Sequence, residues 1–429
     1  MNARRVIVVG GGYSGLRVAR LLDRRTWRHP VEVVLVDRAP FHTLRPRLPQ
    51  AIGGRIPCAV HLSIEALLSG TRVRVLTHDV EVVDPAARRV VWGGGALDAD
   101  ALVLAFGGRP HLPEGLADDP TAVLPVWQVD AACGLRRRVQ FIAGAAREGR
   151  AVDGRVVVIG GGFVGVEVAA ELQARLGRLY DPHARPPVIL VHRRHRLLPR
   201  LSRWAGDVAA SRLSALGVEV LAGYSAVRVD GRRVDLDGGG SLDAGTIVWA
   251  GGGIEAPLVA AASGLSDATG RIPVTGALEV KRYPGVFAIG DCAYRAGEGS
   301  GEAEPSAHRA ELQAATAARN VAARLDGGKI IAHHPSRNVY ALGLGPGYGL
   351  VEVGAVRTAG RGLSIAKDLV TARHLAQAGG WRALRAALPP AVLTGWRPAD
   401  WDAAPLADGA VGVPVAGGHP VQQPPSAAA

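Results

Sequence analysis

The sequence predicts an α/β protein with parallel sheets, and three observations carry that prediction. A β-branched run, a glycine-rich turn and an amphipathic helix follow one another twice, from Arg4 and again from Arg155. Each copy continues into a second apolar strand, ending at Asp37 in the first and at His192 in the second. A late strand, residues 286–289, runs into Gly290-Asp291. Strand, turn, helix and strand in that order form a dinucleotide-binding βαβ unit. Two such units make two Rossmann-like domains, and the sequence after residue 330 is left as a C-terminal α+β appendage.

The first unit begins at Val6-Ile7-Val8-Val9, a strand-length run with no polar break. Gly10-Gly11-Gly12-Tyr13-Ser14-Gly15 follows, then Leu16, Val18, Ala19, Leu21 and Leu22 at helical spacing. In such a turn Gly10 permits the tight bend, Gly12 lets a pyrophosphate approach, and Gly15 lets the helix pack close on the strand. The helix N-terminus offers free N–H groups and positive dipole to phosphates. Asp37, 22 residues after Gly15, is placed to accept from both ribose hydroxyls.

At 429 residues the chain should hold two domains. With 48% hydrophobic residues and 57 glycines, it has enough apolar content for a large core and many tight turns. No apolar run approaches the ~18 residues of a spanning helix. The net charge of +12 suits phosphorylated cofactors and anionic lipid surfaces. Nucleic acid is not expected as a partner, because no helix-turn-helix, finger or aromatic-basic platform is present. Cys58, Cys133 and Cys292 are widely spaced, with no C-x-x-C. That predicts neither a metal site nor a disulfide, and a reducing, cytoplasmic setting. The N-terminus runs straight into a strand, so no signal peptide is expected.

Residues 38–46 read as a proline-broken loop leading into a short helix. Strands are expected at 73–75, 80–84, 89–92 and 101–105, the last ended by Phe106-Gly107-Gly108-Arg109-Pro110. The repeat then starts with Val156-Val157-Val158-Ile159 and Gly160-Gly161-Gly162-Phe163-Val164-Gly165, and its helix runs from 166 to about 176. Two nucleotide sites in one chain suit a flavoprotein in which one dinucleotide reduces the other. The second unit ends in His192-Arg193-Arg194-His195-Arg196 in place of an acid. An acid repels a 2′-phosphate and an arginine cluster pairs with it, which favours NADPH over NADH; a solvated basic loop is the other reading. Residues 246–252 close the second domain as 102–108 close the first. The acid of Gly290-Asp291 is placed for a flavin ribityl hydroxyl. A helix is expected over 307–325, strands over 339–344 and 349–356, and helix again to about 388. The expected boundaries are 1–115 and 269–330 for FAD, 116–268 for NAD(P)H, 331–400 for an interface or membrane-surface domain, and 401–429 for a disordered tail.

Together these signatures resemble the two-dinucleotide flavoprotein superfamily, which is pyridine nucleotide-disulfide oxidoreductase-like. Within it the chain is most similar to the type II NADH:quinone dehydrogenases. The resemblance is carried by Phe41-His42-Thr43-Leu44-Arg45-Pro46, by residues 102–110, by Gly165-Val166-Glu167-Val168-Ala169-Ala170-Glu171-Leu172 and by Ile289-Gly290-Asp291-Cys292-Ala293. It implies FAD contacts at Gly10, Gly12, Tyr13, Ser14, Gly15, Asp37, Arg38, Val80, Ala105, Gly107, Gly290, Asp291 and Ala307. It implies nicotinamide-dinucleotide contacts at Gly160, Gly162, Phe163, Gly165, His192, Arg193, Arg194 and Gly251. Glu167 matches a family glutamate proposed to assist proton or hydride handling; pairing within the protein is its other reading. The family's A-Q-x-A-x-Q stretch falls on Ala307-His308-Arg309-Ala310-Glu311-Leu312, so both glutamines are replaced and His308 becomes a candidate proton donor to the acceptor. No cysteine pair of the dithiol reductases occurs near Phe41, and all three cysteines are expected to be packing residues. Leu375, Trp381, Leu384 and Leu388, with Arg382 and Arg385, are expected to share one face. That face would be an interfacial anchor on the inner side of the plasma membrane, or would pack on the protein's own body or a second copy. The implied activity is transfer from NADPH or NADH through FAD to a quinone or other small acceptor. A soluble oxidoreductase of a small metabolite and a low-turnover redox sensor are the rivals.

Overall fold

The computed structural model describes residues 3–56, 60–150, 152–251, 254–255, 257–268, 270–295, 306–334 and 339–387. Its first parallel sheet has five strands, in the order Val286–Ala288, Ala101–Leu104, Arg4–Val9, Val31–Asp37, Arg74–Thr77. Val6 pairs with Val33 on one side and Ala101 on the other, so the Val6–Val9 run lies at the centre. Val6, Ile7, Val8, Leu102 and Val103 are wholly buried. Burial on both faces is why these strands read as unbroken apolar runs rather than alternating ones. Helix Tyr13–Asp23 covers one face, and helix Ala307–Asp326 packs on it through Ala314, Ala317 and Ala318.

The second sheet repeats the first. Its order is Val123–Pro125, Thr246–Trp249, Val156–Ile159, Val188–His192, Val218–Ala222, again all parallel. The outermost strand comes late in the chain for the first sheet and early for the second, so the second unit sits inside the first as an insertion. Each sheet is accompanied by a three-stranded antiparallel meander, at 80–98 and 226–243.

Several expectations change here. Part of the predicted 38–46 loop is a strand, Phe41–Thr43, paired antiparallel with His61–Ser63. The appendage has a third strand, Val356–Arg361, joined to Tyr348–Val353 by a hairpin at Gly354, whose φ is 58°. The C-terminal helix, Ile365–Ala387, is broken at Gly380 (φ 69°, ψ −160°). The break destroys the expected common face: Leu375 is 2% exposed in the core and Trp381 is 72% exposed. Leu384 is half-buried, while Leu388, the Arg382 side chain and the expected tail at 401–429 lie outside the described residues. Cys133 is disulfide-bonded, which overturns the expectation of three unpaired cysteines. A disulfide depends on approach in space, and separation along the chain conceals that. Cys292 is a free buried thiol whose pKa burial pushes up to about 12, and Cys58 lies outside the described residues.

Candidate functional site

The two glycine turns are built alike. Gly10 and Gly160 hold φ of 111° and 121°, which side-chain-bearing residues rarely adopt. A Cβ on either would strike the backbone carbonyl of Ala105 or Ala250. A Cβ on Gly15 or Gly165 would fall on the carbonyl oxygen of Gly10 or Gly160, so each helix leans directly on its strand. At Gly12 and Gly162 nothing lies within 4 Å of the added atom, and each turn is open on that side. Neither helix receives a side-chain cap. Their first N–H groups therefore face the open side without a partner from the cap, which is the provision an anionic diphosphate needs.

Around the first turn Asp37 accepts from Gly11 N at 2.5 Å and from Ala39 N at 2.9 Å. Arg38 is exposed beside it. Val80 is 8% exposed at the start of the meander. Ala105 N donates to Val9 O at 2.8 Å and leads to Gly107, whose φ is 69°. Gly290 abuts Ser14: a Cβ there would stand 3.0 Å from Ser14 Oγ. Gly290 N also donates to Gln313 Oε1 at 2.7 Å, which aims the Gly290-Asp291 turn at the start of helix Ala307–Asp326. Burial pushes the Asp291 carboxyl up, and Arg45, Arg271 and Arg309 oppose that shift. The Tyr13 hydroxyl is buried with no hydrogen-bond partner. Burial and the Glu311 charge push its pKa up. The structure thus gathers Gly10, Gly12, Tyr13, Ser14, Gly15, Asp37, Ala105, Gly290 and Asp291 around one open turn, and Ala307 opens the helix whose Gln313 meets Gly290. A cradle with an orphaned phenol, a carboxylate and three arginines fits FAD.

In the second domain Gly161 N donates to His192 Nδ1 at 3.1 Å, in the place Asp37 holds in the first. Ala250 N donates to Ile159 O at 2.9 Å and precedes Gly251, as Ala105 precedes the first closing glycines. Phe163 stands edge-on to Tyr340, with ring centroids 5.4 Å apart. Arg193 and Arg194 are exposed at the strand end. Glu167 lies on helix Phe163–Leu179, faces the appendage and is 7% exposed. Its Oε1 accepts from Lys367 Nζ at 2.5 Å and from Gly343 N at 2.8 Å.

A second polar group was not foreseen. His42 Nδ1 lies 3.1 Å from Gly11 O, and its Nε2 lies 3.0 Å from His374 Nε2. His374 Nδ1 lies 2.6 Å from Glu311 Oε1, and Arg373 donates to Glu311 Oε2 at 2.6 Å and to His308 Nδ1 at 3.0 Å. The Tyr13 ring packs on both His42 and His374. Residues so far apart in the chain leave no spacing signal; only the His42 match to the family loop and the His308–Glu311 stretch pointed this way, and Arg373 and His374 were not foreseen. The cluster predicts an acid-labile fold. Burial, aided by His374 and Arg45 and opposed by the bond to Gly11, lowers the His42 pKa to about 3. An unfolded imidazole titrates near 6.5, so between those values the unfolded chain binds more protons. Stability should fall by about 1.4 kcal/mol per pH unit from this residue as pH drops through that window. Urea denaturation at stepped pH should show that slope flattened in His42→Gln; an unchanged slope would assign it elsewhere.

Fold and turns together define a protein with two dinucleotide cradles set in paired parallel sheets. The chain belongs to the pyridine nucleotide-disulphide oxidoreductase family, whose model matches residues 4–320; it is an oxidoreductase, as its sequence led us to expect. An NADH dehydrogenase-like protein of Mycobacterium tuberculosis is 32% identical over 300 residues, 67% of this chain and 72% of the relative. The type II NADH:quinone oxidoreductase of Staphylococcus aureus is 27% identical over 397 residues, 88% of this chain and 97% of its own. Among solved structures, NDH2 from Plasmodium falciparum in complex with NADH superposes with a TM-score of 0.78 at 16% identity, covering 92% of this chain and all (100%) of that one. The Aquifex aeolicus sulfide:quinone oxidoreductase gives 0.75 at 15% identity, over 89% and 92%. At those identities the structural matches speak for the fold alone.

Proposed function

We propose that the chain binds FAD at the first glycine turn and a nicotinamide dinucleotide at the second, and reduces a quinone-type acceptor. The observation that carries this reading is the pair of open, uncapped glycine turns at the ends of matching sheets. FAD, when bound, supplies the two-electron chemistry between nicotinamide and acceptor. The protein's part is binding and orientation. Gly12, Tyr13, Ser14 and the N-terminus of helix Tyr13–Asp23 hold the diphosphate, Asp37 and Arg38 the adenosine ribose, and Asp291 the ribityl chain. Val80, Ala105, Gly107, Gly290 and Ala307 shape the slot. Gly160, Gly162, Phe163, Gly165 and Gly251 shape the second site. Glu167 holds a proton partner, Lys367 Nζ, inside the fold. Burial and the Arg373 charge keep the His308 imidazole below its ordinary pKa, with Glu311 opposing. Its Nδ1 is engaged by Arg373, so His308 suits hydrogen-bond donation through Nε2 better than outright proton donation.

The acceptor has a second reading. Glu311 draws Arg373 and His374 onto the helix where the family's glutamines would stand, and that polar face suits a small metabolite. No helix among the described residues is long and apolar enough to cross a membrane. Ile365 and Leu369, one helical turn apart and 59 and 62% exposed, and Trp381, 72% exposed beyond the break, support a peripheral contact with a membrane surface. Flotation with anionic vesicles tests it, and concentration-dependent dimerisation without flotation would assign these side chains to a second copy.

The purified protein should be yellow, and anaerobic NADPH or NADH should bleach its flavin band. A short-chain quinone should then restore the band. A colourless chain that refuses added FAD would end this reading, and restoration only by other acceptors would favour the metabolite.

A further inference from the structure

Two imidazoles stand in line between the first glycine turn and the helix that carries Glu311. His42 Nδ1 lies 3.1 Å from Gly11 O, the Nε2 atoms of His42 and His374 are 3.0 Å apart, and His374 Nδ1 lies 2.6 Å from Glu311 Oε1. All three side chains are buried. A carbonyl ends the line on one side and a carboxyl group on the other. Its three contacts therefore hold three protons, one more than two neutral imidazoles carry. The order is fixed from the carbonyl outward. His42 Nδ1–H donates to Gly11 O, His42 Nε2 accepts from His374 Nε2–H, and the third proton lies between His374 Nδ1 and Glu311 Oε1. Burial and the His374 charge lower the His42 pKa to about 3, which keeps its Nε2 an acceptor. The other ionisable groups turned toward the line are Tyr13 and Arg17 on the first helix, Arg45 and Arg47, and His308 and Arg373 beside Glu311.

The peptide between Gly11 and Gly12 is a planar trans unit, so a carbonyl held on one side sends the Gly12 N–H out on the other. Asp37 holds the Gly11 N–H at 2.5 Å, and Gly12 is where the turn is open. An N–H fixed in direction there is what an anionic diphosphate requires. We infer that His374 is a positioning residue for FAD: through His42 it fixes the Gly11–Gly12 peptide, and the proton it shares with Glu311 completes the line. The C-terminal helix thereby supports the flavin cradle from behind. Arg20 ties that helix to the same domain a turn further on, donating to Ala378 O and to Leu67 O. The inference rests on the proposed reading of the first turn as the FAD site.

FAD release from the diluted holoprotein, followed as the rise of free-flavin fluorescence at stepped pH from neutral to alkaline, tests it without turnover. Alkali should remove the third proton and leave two acceptors face to face. Release should then quicken at least about tenfold, the loss of one hydrogen bond to a charged group. Glu311→Gln should hold FAD as tightly at neutral pH and abolish the quickening. Its amide N–H can donate to His374 Nδ1 while its oxygen still accepts from Arg373, so the line is complete without an extra proton. His374→Leu should release FAD at the faster rate at every pH. Release from the unmodified protein that ignores alkali, a quickening that survives Glu311→Gln, or slow release from His374→Leu would overturn the inference and leave the FAD site in place. A chain that takes up no FAD would overturn the flavin reading itself, and this inference with it.

Discussion

Replacing Lys367 with methionine should lower the stability of the fold by about 3–5 kcal/mol, the usual consequence of stranding a buried charge. The Lys367 and Glu167 side chains are 8% and 9% exposed, with Nζ and Oε1 2.5 Å apart. Gly343 N is the carboxylate's other donor, so a methionine of similar length would leave Glu167 buried with one neutral hydrogen bond. The pair joins three pieces of chain: helix Phe163–Leu179, strand Val339–Gly343 and the C-terminal helix. Loss of the ammonium should therefore loosen the appendage first, seen as early amide exchange in 339–361. Glu167→Gln/Lys367→Met, which removes both charges together, should recover most of the loss. A urea midpoint that barely moves in Lys367→Met would mean that the pair is hydrated and structurally idle. The double variant also separates the two readings of Glu167. If it is as stable as the unmodified protein and reduces its flavin as fast, Glu167 only fastens the appendage. If it is stable but slow, the carboxylate takes part in the chemistry.

The glycine turns were legible in the sequence because their requirements are written residue by residue. A positive φ at Gly10 and Gly160, and helix-to-strand contact at Gly15 and Gly165, admit almost no other side chain. The buried central strands were legible for the same reason, since burial on both faces demands unbroken apolar runs. Strand Phe41–Thr43 was hidden because three residues beside prolines carry no period, and its partner lies some twenty residues on. Strand Val356–Arg361 (VRTAGR) is too polar to announce itself, and its pairing is set by the hairpin before it. The face expected to unite Leu375 and Trp381 assumed a continuous helix, and Gly380 turns the chain between them. His192 stood out only as the missing acid. That its Nδ1 accepts from Gly161 N, in the place Asp37 holds in the first turn, is a fact of geometry that composition could not supply.

A single methyl group on Gly165 should abolish nicotinamide-dinucleotide binding and leave the flavin in place. The added carbon would coincide with the Gly160 carbonyl oxygen, with Ala250 Cβ 3.4 Å away on another side. Relief requires the helix to back away from its strand, and the helix is not free to do so. Glu171 holds Arg55 at 2.6 Å, Gly53 abuts the Glu171 side chain, and Lys367 holds Glu167. The strain therefore falls on the turn, where it moves the N–H groups that face the diphosphate. A displacement of about 1 Å in such a positioning element lowers binding or turnover by roughly 100-fold. The first turn is a separate copy on a separate sheet, so the ratio of flavin to protein absorbance should not change. Fluorescence quenching by NADPH and NADH supplies the measurement. Gly15→Ala is the mirror experiment and should give a protein that folds poorly or purifies without colour. A Gly165→Ala protein that kept its nicotinamide affinity would show that helix Phe163–Leu179 can shift without cost, and the argument from two matched, rigid cradles would fail with it.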